Sequence, residues 1–263
     1  MQVPNLLIRQ ASGIDSKNYL RVKSKSQSLY KLLILLLVIL VSNKPVTAQT
    51  QTREKARIVR KTQLKYLSWL PPDYRTHKDK KFPLLIFLHG SGEQGTDLDK
   101  VKAWGPPSFV ENRPEFPFIV ISPQCPEGQS WKIEDLDILL THLLKKLRVD
   151  PDRVYLTGLS MGGSCTWEWA CTYPSRFAAI APVCGGGDPG NADEIKNVPV
   201  WAFRGQNDPV VPVKLATDMV EAVNKNGGDA KLTIYPGVGH DSWRKAYANE
   251  ELYKWFLAHS RKK

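Results

Sequence analysis

The chain has 263 residues, 42% of them hydrophobic and 10% aromatic, with a formal net charge of +11. Residues 1–48 hold seven Lys/Arg against one Asp, so they carry +6 and leave +5 for the rest. That remaining excess lies in residues 53–65, 78–81 and 261–263, at an end or in a loop, where solvated faces and tails account for it without nucleic acid.

The N-terminal part reads as a leader. Residues 32–41 are ten apolar residues in a row, preceded by basic residues and followed by Val46-Thr47-Ala48, a small-residue cleavage pattern. A bilayer core needs about 20 apolar residues, so ten do not span it. A secretory signal peptide over 1–48 is expected, with cleavage after Ala48 and a secreted or periplasmic protein without stable membrane association. The stretch ahead of the apolar run is longer than usual, which leaves a signal anchor over 32–41 or a downstream start as alternatives. A lead-in over 49–63 and one domain over 64–263 follow; roughly 210 residues suffice for one α/β domain and are too few for two.

Strands are expected at 64–70, 83–88, 117–122, 153–157, 177–183, 198–204 and 230–235, alternating with helical stretches. After the second strand comes His89-Gly90-Ser91-Gly92-Glu93-Gln94-Gly95. Glycine-rich backbone directly after a central strand can aim N–H groups at a developing negative charge. The N–H of Ser91 is the expected donor, with Gly92 as the alternative; His89 reads as a ring bracing this loop. Glu93 either contacts substrate or bonds the backbone of its own loop. Trp104 and Trp131, in the 91–108 and 123–132 loops, are candidate pocket walls or pack under their loops. Residues 133–147 show apolar positions at 136, 139, 140, 143, 144 and 147, the period of an amphipathic helix.

The fourth strand runs into Gly158-Leu159-Ser160-Met161-Gly162, a G-x-S-x-G pattern, and a helix is expected over 164–173. A serine hydroxyl is a poor nucleophile at neutral pH, so this pattern requires a base to take its proton and an acid to orient that base. The sixth strand ends in Gln206-Asn207-Asp208-Pro209, which places a carboxylate on a tight turn just past a strand end. The seventh is followed by Pro236-Gly237-Val238-Gly239-His240. Ser160, Asp208 and His240 thus read as nucleophile, acid and base, with the backbone N–H of Met161 as the second oxyanion donor. Asp241, beside the base, reads as the N-cap of a final helix starting at Ser242. Only some 14 residues separate 183 from 198, too few for a helical lid, so the site should be open.

Cys125, Cys165, Cys171 and Cys184 are an even number in a chain read as exported, which invites disulfides. Cys165 and Cys171 are six apart on one helix, and Cys125 and Cys184 end strands expected to have two others between them, so free thiols are expected. No His/Cys/Asp cluster has metal-ligand spacing, and neither a metal nor another cofactor is called for.

The blocks 89–95, Trp104-Gly105-Pro106-Pro107, Ser122-Pro123-Gln124-Cys125-Pro126 with Trp131, 158–163, 182–188 and Arg204-Gly205-Gln206-Asn207-Asp208-Pro209-Val210 resemble the phospholipase/carboxylesterase and dienelactone-hydrolase-like group of α/β-hydrolases. The resemblance runs from about residue 64 to the C-terminus. It implies the α/β-hydrolase fold, a mostly parallel sheet with helices on both faces and no cap domain. It also implies a Ser-His-Asp hydrolase among relatives that include esterases, peptidases and polyester depolymerases. Dienelactone hydrolases proper use a cysteine nucleophile, and serine stands at 160, which argues against their particular reaction. The expected function is an exported esterase acting on a small or polymeric ester. A peptidase or a polyester or carbohydrate-ester depolymerase on the same machinery is the alternative, and a non-catalytic binding protein is the alternative of a different class.

Overall fold

The computed structural model describes residues 62–261, within a compact unit Val59–Lys263. The expected leader and its cleavage point lie outside the described residues, as does all but the end of the 49–63 lead-in. Seven strands form one sheet: β1 (Tyr66–Trp69), β2 (Phe82–Leu88), β3 (Ile119–Pro123), β4 (Val149–Leu159), β5 (Ala179–Val183), β6 (Val200–Gly205) and β7 (Ala230–Tyr235). Their order is β1-β3-β2-β4-β5-β6-β7. The β1–β3 pair is antiparallel and every other neighbouring pair is parallel. Each strand overlaps the run that marks it, and β4 is longer than the expected 153–157, reaching back to Val149.

A strand buried on both faces must be apolar at successive positions, and β2 is: F-P-L-L-I-F-L with every residue buried. Its side chains alternate, Leu84, Ile86 and Leu88 joining one apolar cluster and Leu85 and Phe87 the other. The first cluster is closed by α1 (Ile133–Lys146), α2 (Met161–Thr172) and α3 (Val213–Lys225), which contribute Leu136, Leu140, Trp167, Met219 and Val223. The second is closed by α4 (Trp243–Ala248) and α5 (Glu250–Leu257) through Tyr247, Leu252, Tyr253 and Phe256. Helices therefore cover both faces, as the α/β-hydrolase fold requires.

Two helix boundaries also differ from expectation. Helix α2 begins at Met161 rather than at 164, because the chain turns at Ser160 and enters the helix at once. The expected final helix is two, split at Asn249, whose side chain accepts from the Glu251 N–H at 3.1 Å and so caps α5. Asp241 caps nothing. The residue before α4 is Ser242, which makes no side-chain cap bond, and the Asp241 carboxylate pairs with Arg244 Nε at 3.2 Å in solvent.

The connection from β5 to β6 holds only a 3₁₀ segment, Pro189–Ile195, with Ala192 and Ile195 buried. The four cysteines are free; Cys125 follows β3 and Cys184 follows β5, with β2 and β4 between them.

Candidate active site

Parallel strands put their carboxyl ends on one edge, and that edge collects the loop after β2, the turn after β4, the turn after β6 and the loop after β7. Ser160 sits at the apex of the β4–α2 turn with φ 52° and ψ −116°. Such a backbone costs a non-glycine residue about 1–3 kcal/mol and persists only where its surroundings hold it. The surroundings here are close backbone contacts that only glycine allows. A Cβ on Gly162 would stand 2.1 Å from the Leu88 carbonyl oxygen, and one on Gly158 2.4 Å from the Gly162 carbonyl oxygen. The Ser160 N–H is bonded as well, donating to Val183 O at 3.0 Å and to Cys184 Sγ at 3.1 Å.

The structure brings Ser160, His240 and Asp208 into one hydrogen-bonded chain. His240 Nε2 lies 2.9 Å from Ser160 Oγ, and His240 Nδ1 lies 2.8 Å from Asp208 Oδ2. The other carboxylate oxygen, Oδ1, accepts from the N–H groups of Val210 at 2.9 Å and Val211 at 3.0 Å. The Asp208 side chain is fully buried, while that of His240 keeps 19% exposure. Burial alone would raise the Asp208 pKa, but the Val211 N–H, the His240 ring and the Val210 N–H outweigh it and hold the carboxyl below its ordinary value. With Nδ1–H donated to a carboxylate, Nε2 presents its lone pair to the serine hydroxyl, the tautomer a general base needs.

The acid turn and the histidine loop are tied to one another. Gln206 N–H donates to Tyr235 O at 3.0 Å and Asn207 N–H to Val238 O at 2.9 Å. Beyond His240, α4 is pinned to the sheet by Tyr247, whose hydroxyl is 3.1 Å from Thr157 Oγ1 on β4 and whose ring meets Phe87 edge-on at 5.6 Å. His240 thus hangs between two anchored elements rather than on a free loop.

The loop after β2 passes beside the serine: a Cβ on Gly90 would stand 3.5 Å from Ser160 Cβ. Ser91–Glu93 form a single 3₁₀ turn, and Glu93 Oε2 accepts the Gly90 N–H at 3.0 Å. The Gly90 donor is therefore occupied, and Ser91 and Gly92 are the next donors along the turn. Met161 opens α2, where the first N–H groups have no intrahelical acceptor and the helix dipole favours negative charge.

Two of the three pocket candidates, Glu93 and Trp131, brace this loop. Glu93 is only 9% exposed, and its carboxylate is taken up by Gly90. Trp131 is 8% exposed, packs at a tilt on the His89 ring with centroids 4.8 Å apart and donates its indole N–H to His89 O at 3.2 Å. His89 in turn accepts the Cys125 N–H on Nε2 at 3.0 Å and donates from Nδ1 to Gly90 O at 2.6 Å, a neutral ring. Desolvation pushes its pKa down accordingly.

Trp104 is half-buried and stays at the rim. It packs on Trp243 with centroids 5.9 Å apart, beneath the Arg244 guanidinium at 4.1 Å, and Trp243 meets the His240 ring edge-on at 5.5 Å. Sequence reasoning passed over Trp243, although an aromatic residue three positions past the histidine is a visible signal. The sequence also assigns no part in the site to Cys184 or to Arg204, a charged residue inside an otherwise apolar strand.

Comparison with known proteins agrees with this architecture. Residues 127–252 match the dienelactone hydrolase family. A thermostable esterase of known structure superposes with a TM-score of 0.69 at 33% identity, over 74% of this chain and 59% of that one. The bifunctional acetylxylan esterase/xylanase XynS20E of Neocallimastix patriciarum is 29% identical over 154 residues, 56% of this chain. A protein of Aspergillus terreus named "Probable feruloyl esterase C" is 27% identical over 172 residues, 62% of this chain. The matched segment spans 22% of the first of these two relatives and 62% of the second. The sheet order, the family match over residues 127–252 and the esterase neighbour agree: the chain has the α/β-hydrolase fold and is similar to the dienelactone-hydrolase-like group.

Proposed function

We propose that the protein is a serine esterase that cleaves carboxylic esters through an acyl-enzyme. The observation that carries this reading is the chain Ser160 Oγ, His240 Nε2, His240 Nδ1, Asp208 Oδ2, with both links under 3 Å. Ser160 Oγ attacks the ester carbonyl while His240 takes its proton, and Asp208 stabilises the imidazolium that forms. The N–H groups of Met161 and Ser91 receive the oxyanion, and His240 returns the proton to the leaving alkoxide. Water, deprotonated by the same imidazole, then releases the acid.

The short β5–β6 connection supports a site open to bulky or polymeric esters. The printed activities of the relatives make acetylated and feruloylated carbohydrates the first esters to try. The signal-like segment ahead of residue 49 supports export. A fluorophosphonate probe tests the core of the reading: it should label the wild-type protein covalently and leave Ser160→Ala unlabelled. Equal labelling of both removes Ser160 from its role, and a folded wild type that takes no label favours a binding protein. Hydrolysis of aminoacyl amides at rates matching those of esters would make the enzyme a peptidase.

A further inference from the structure

Arg204, on β6, is fully buried. Its Nη2 donates to Pro212 O at 2.9 Å and also to Val211 O, closing the turn that carries Asp208 from the inside. The same nitrogen stands 3.7 Å from Asp208 Oδ2, the oxygen that bonds His240. Nε and Nη1 have no hydrogen-bond partner among the described residues. A buried cation with unmatched donors is costly, and an apolar side chain of similar volume would serve packing better. The remainder of β6, Val200 to Phe203, is apolar.

The charged and titratable surroundings are few. Asp208 faces the guanidinium from the β6–α3 turn, and Cys184 from the end of β5, its thiol kept neutral by burial. His240 lies beyond Asp208. On α3, Lys214 and Asp218 pair with each other, and after His240 so do Asp241 and Arg244. Among the described residues, Asp208 and Cys184 are the titratable groups that act on the guanidinium.

We infer that Arg204 is a positioning residue for the Asp208–His240 pair, clipping the acid turn from within and holding the buried carboxylate ionised and aimed at the imidazole. This rests on the serine-esterase reading above. Removing the cation makes the carboxylate easier to protonate and leaves the imidazolium less opposed. Both effects act in one direction, so the coupled pair takes up its proton at higher pH. Arg204→Gln and Arg204→Met should therefore move the acidic limb of kcat/KM upward by about 1 pH unit. They should also lower kcat tenfold or more with KM little changed. Arg204→Lys keeps the charge, so its limb should coincide with wild type, but one ammonium does not reproduce the planar fork that meets two carbonyls, and kcat should recover only in part.

The experiment is the pH profile of p-nitrophenyl acetate hydrolysis by wild type and the three variants, with fluorophosphonate labelling of wild type alongside. Labelled wild type with a raised limb in the neutral variants and an unmoved limb in Lys supports the role. Labelled wild type with superimposable limbs in Gln, Met and Lys overturns it, leaving the arginine a packing residue. A folded wild type that takes no label sinks the esterase reading itself. Should the neutral variants fail to fold, Arg204→Lys decides: reduced kcat on an unmoved limb supports the clip, and unchanged kcat overturns it.

Discussion

Ser160 and Cys184 face one another across the turn after β4: the Ser160 N–H donates to Cys184 Sγ at 3.1 Å, and both hold a positive φ, 52° and 42°. Among the described residues they are the two non-glycine positions with that backbone. The strained turn at the serine is therefore seated on a second strained residue at the end of the neighbouring strand. Burial pushes the Cys184 thiol pKa up to about 12, so the sulfur is a neutral acceptor at neutral pH.

Removing that acceptor leaves the Ser160 N–H with Val183 O, so the donor is not orphaned. Cys184→Ala is expected to cost about 1–2 kcal/mol, from the small cavity and the lost contact, and to lower kcat several-fold. Urea unfolding and single-turnover kinetics check both; unchanged stability and kcat would mean that the turn holds without the sulfur.

The acid is tested by comparing Asp208 with its neighbour in the histidine loop. Asp208→Asn should lose on the order of 10⁴ in kcat with the fold kept, because the amide favours the wrong tautomer of His240. Asp241→Asn should change kcat little, since its carboxylate only pairs with exposed Arg244, a contact worth well under about 1 kcal/mol. The opposite ranking would move the acid to Asp241.

Much of this arrangement is legible in the sequence because it depends on local pattern. Unbroken apolar runs mark the central strands, and the serine and the aspartate each sit just past such a run, while the histidine follows β7, an edge strand that is only partly buried. What escaped is what depends on which side chain lies under which loop. Position in a loop leaves Trp131 and Glu93 open between pocket wall and brace, and both are drawn under the 89–95 loop, whose buried backbone groups need partners. Asp241 looks like a cap from its place before a helix. The helix instead begins one residue later than that reading needs, and a nearby guanidinium takes the carboxylate. Arg204 is visible as a charge in an apolar strand, but its partner at the strand's own exit turn becomes clear only once the turn is folded back.

Glu93 and His89 give a pH signature to stability. Desolvation raises the Glu93 pKa above its ordinary 4.5, although the Gly90 N–H opposes this. A carboxyl raised in the fold stabilises most below 4.5, and that contribution is lost as pH rises through the folded value. Glu93→Gln keeps an acceptor for Gly90 and removes the buried charge, so at pH 7 it should be as stable as wild type or more so. A drop of about 2 kcal/mol or more at pH 7 would show that the charge itself is needed. His89 works from the other side: its pKa is lowered, so the fold prefers the neutral ring, and stability is full above 6.5 and falls as pH drops below it. In His89→Gln the slope of stability between pH 6.5 and 5 should flatten, which denaturation at several pH values reads directly.

The last expectation concerns access to the site and the place where the enzyme works. The β5–β6 connection, where a lid would be inserted, holds only the Pro189–Ile195 segment, and its Ala192 and Ile195 are buried, so it is a packed connector without a free face to lift. Trp104 and Trp243 stand at the rim, and Trp104 is held between Trp243 and Arg244. A serine reached without opening a lid should give ordinary saturation kinetics on dissolved short-chain esters, with no jump in rate when the substrate passes its solubility limit. A sharp rise at that limit would mean that the 91–108 loop moves as a lid. The same preparation answers the question of export: with Val46-Thr47-Ala48 as the cleavage pattern, terminal sequencing should find a mature N-terminus at Gln49. An intact leader in the membrane fraction would make the segment an anchor, with the same open site held at a membrane surface.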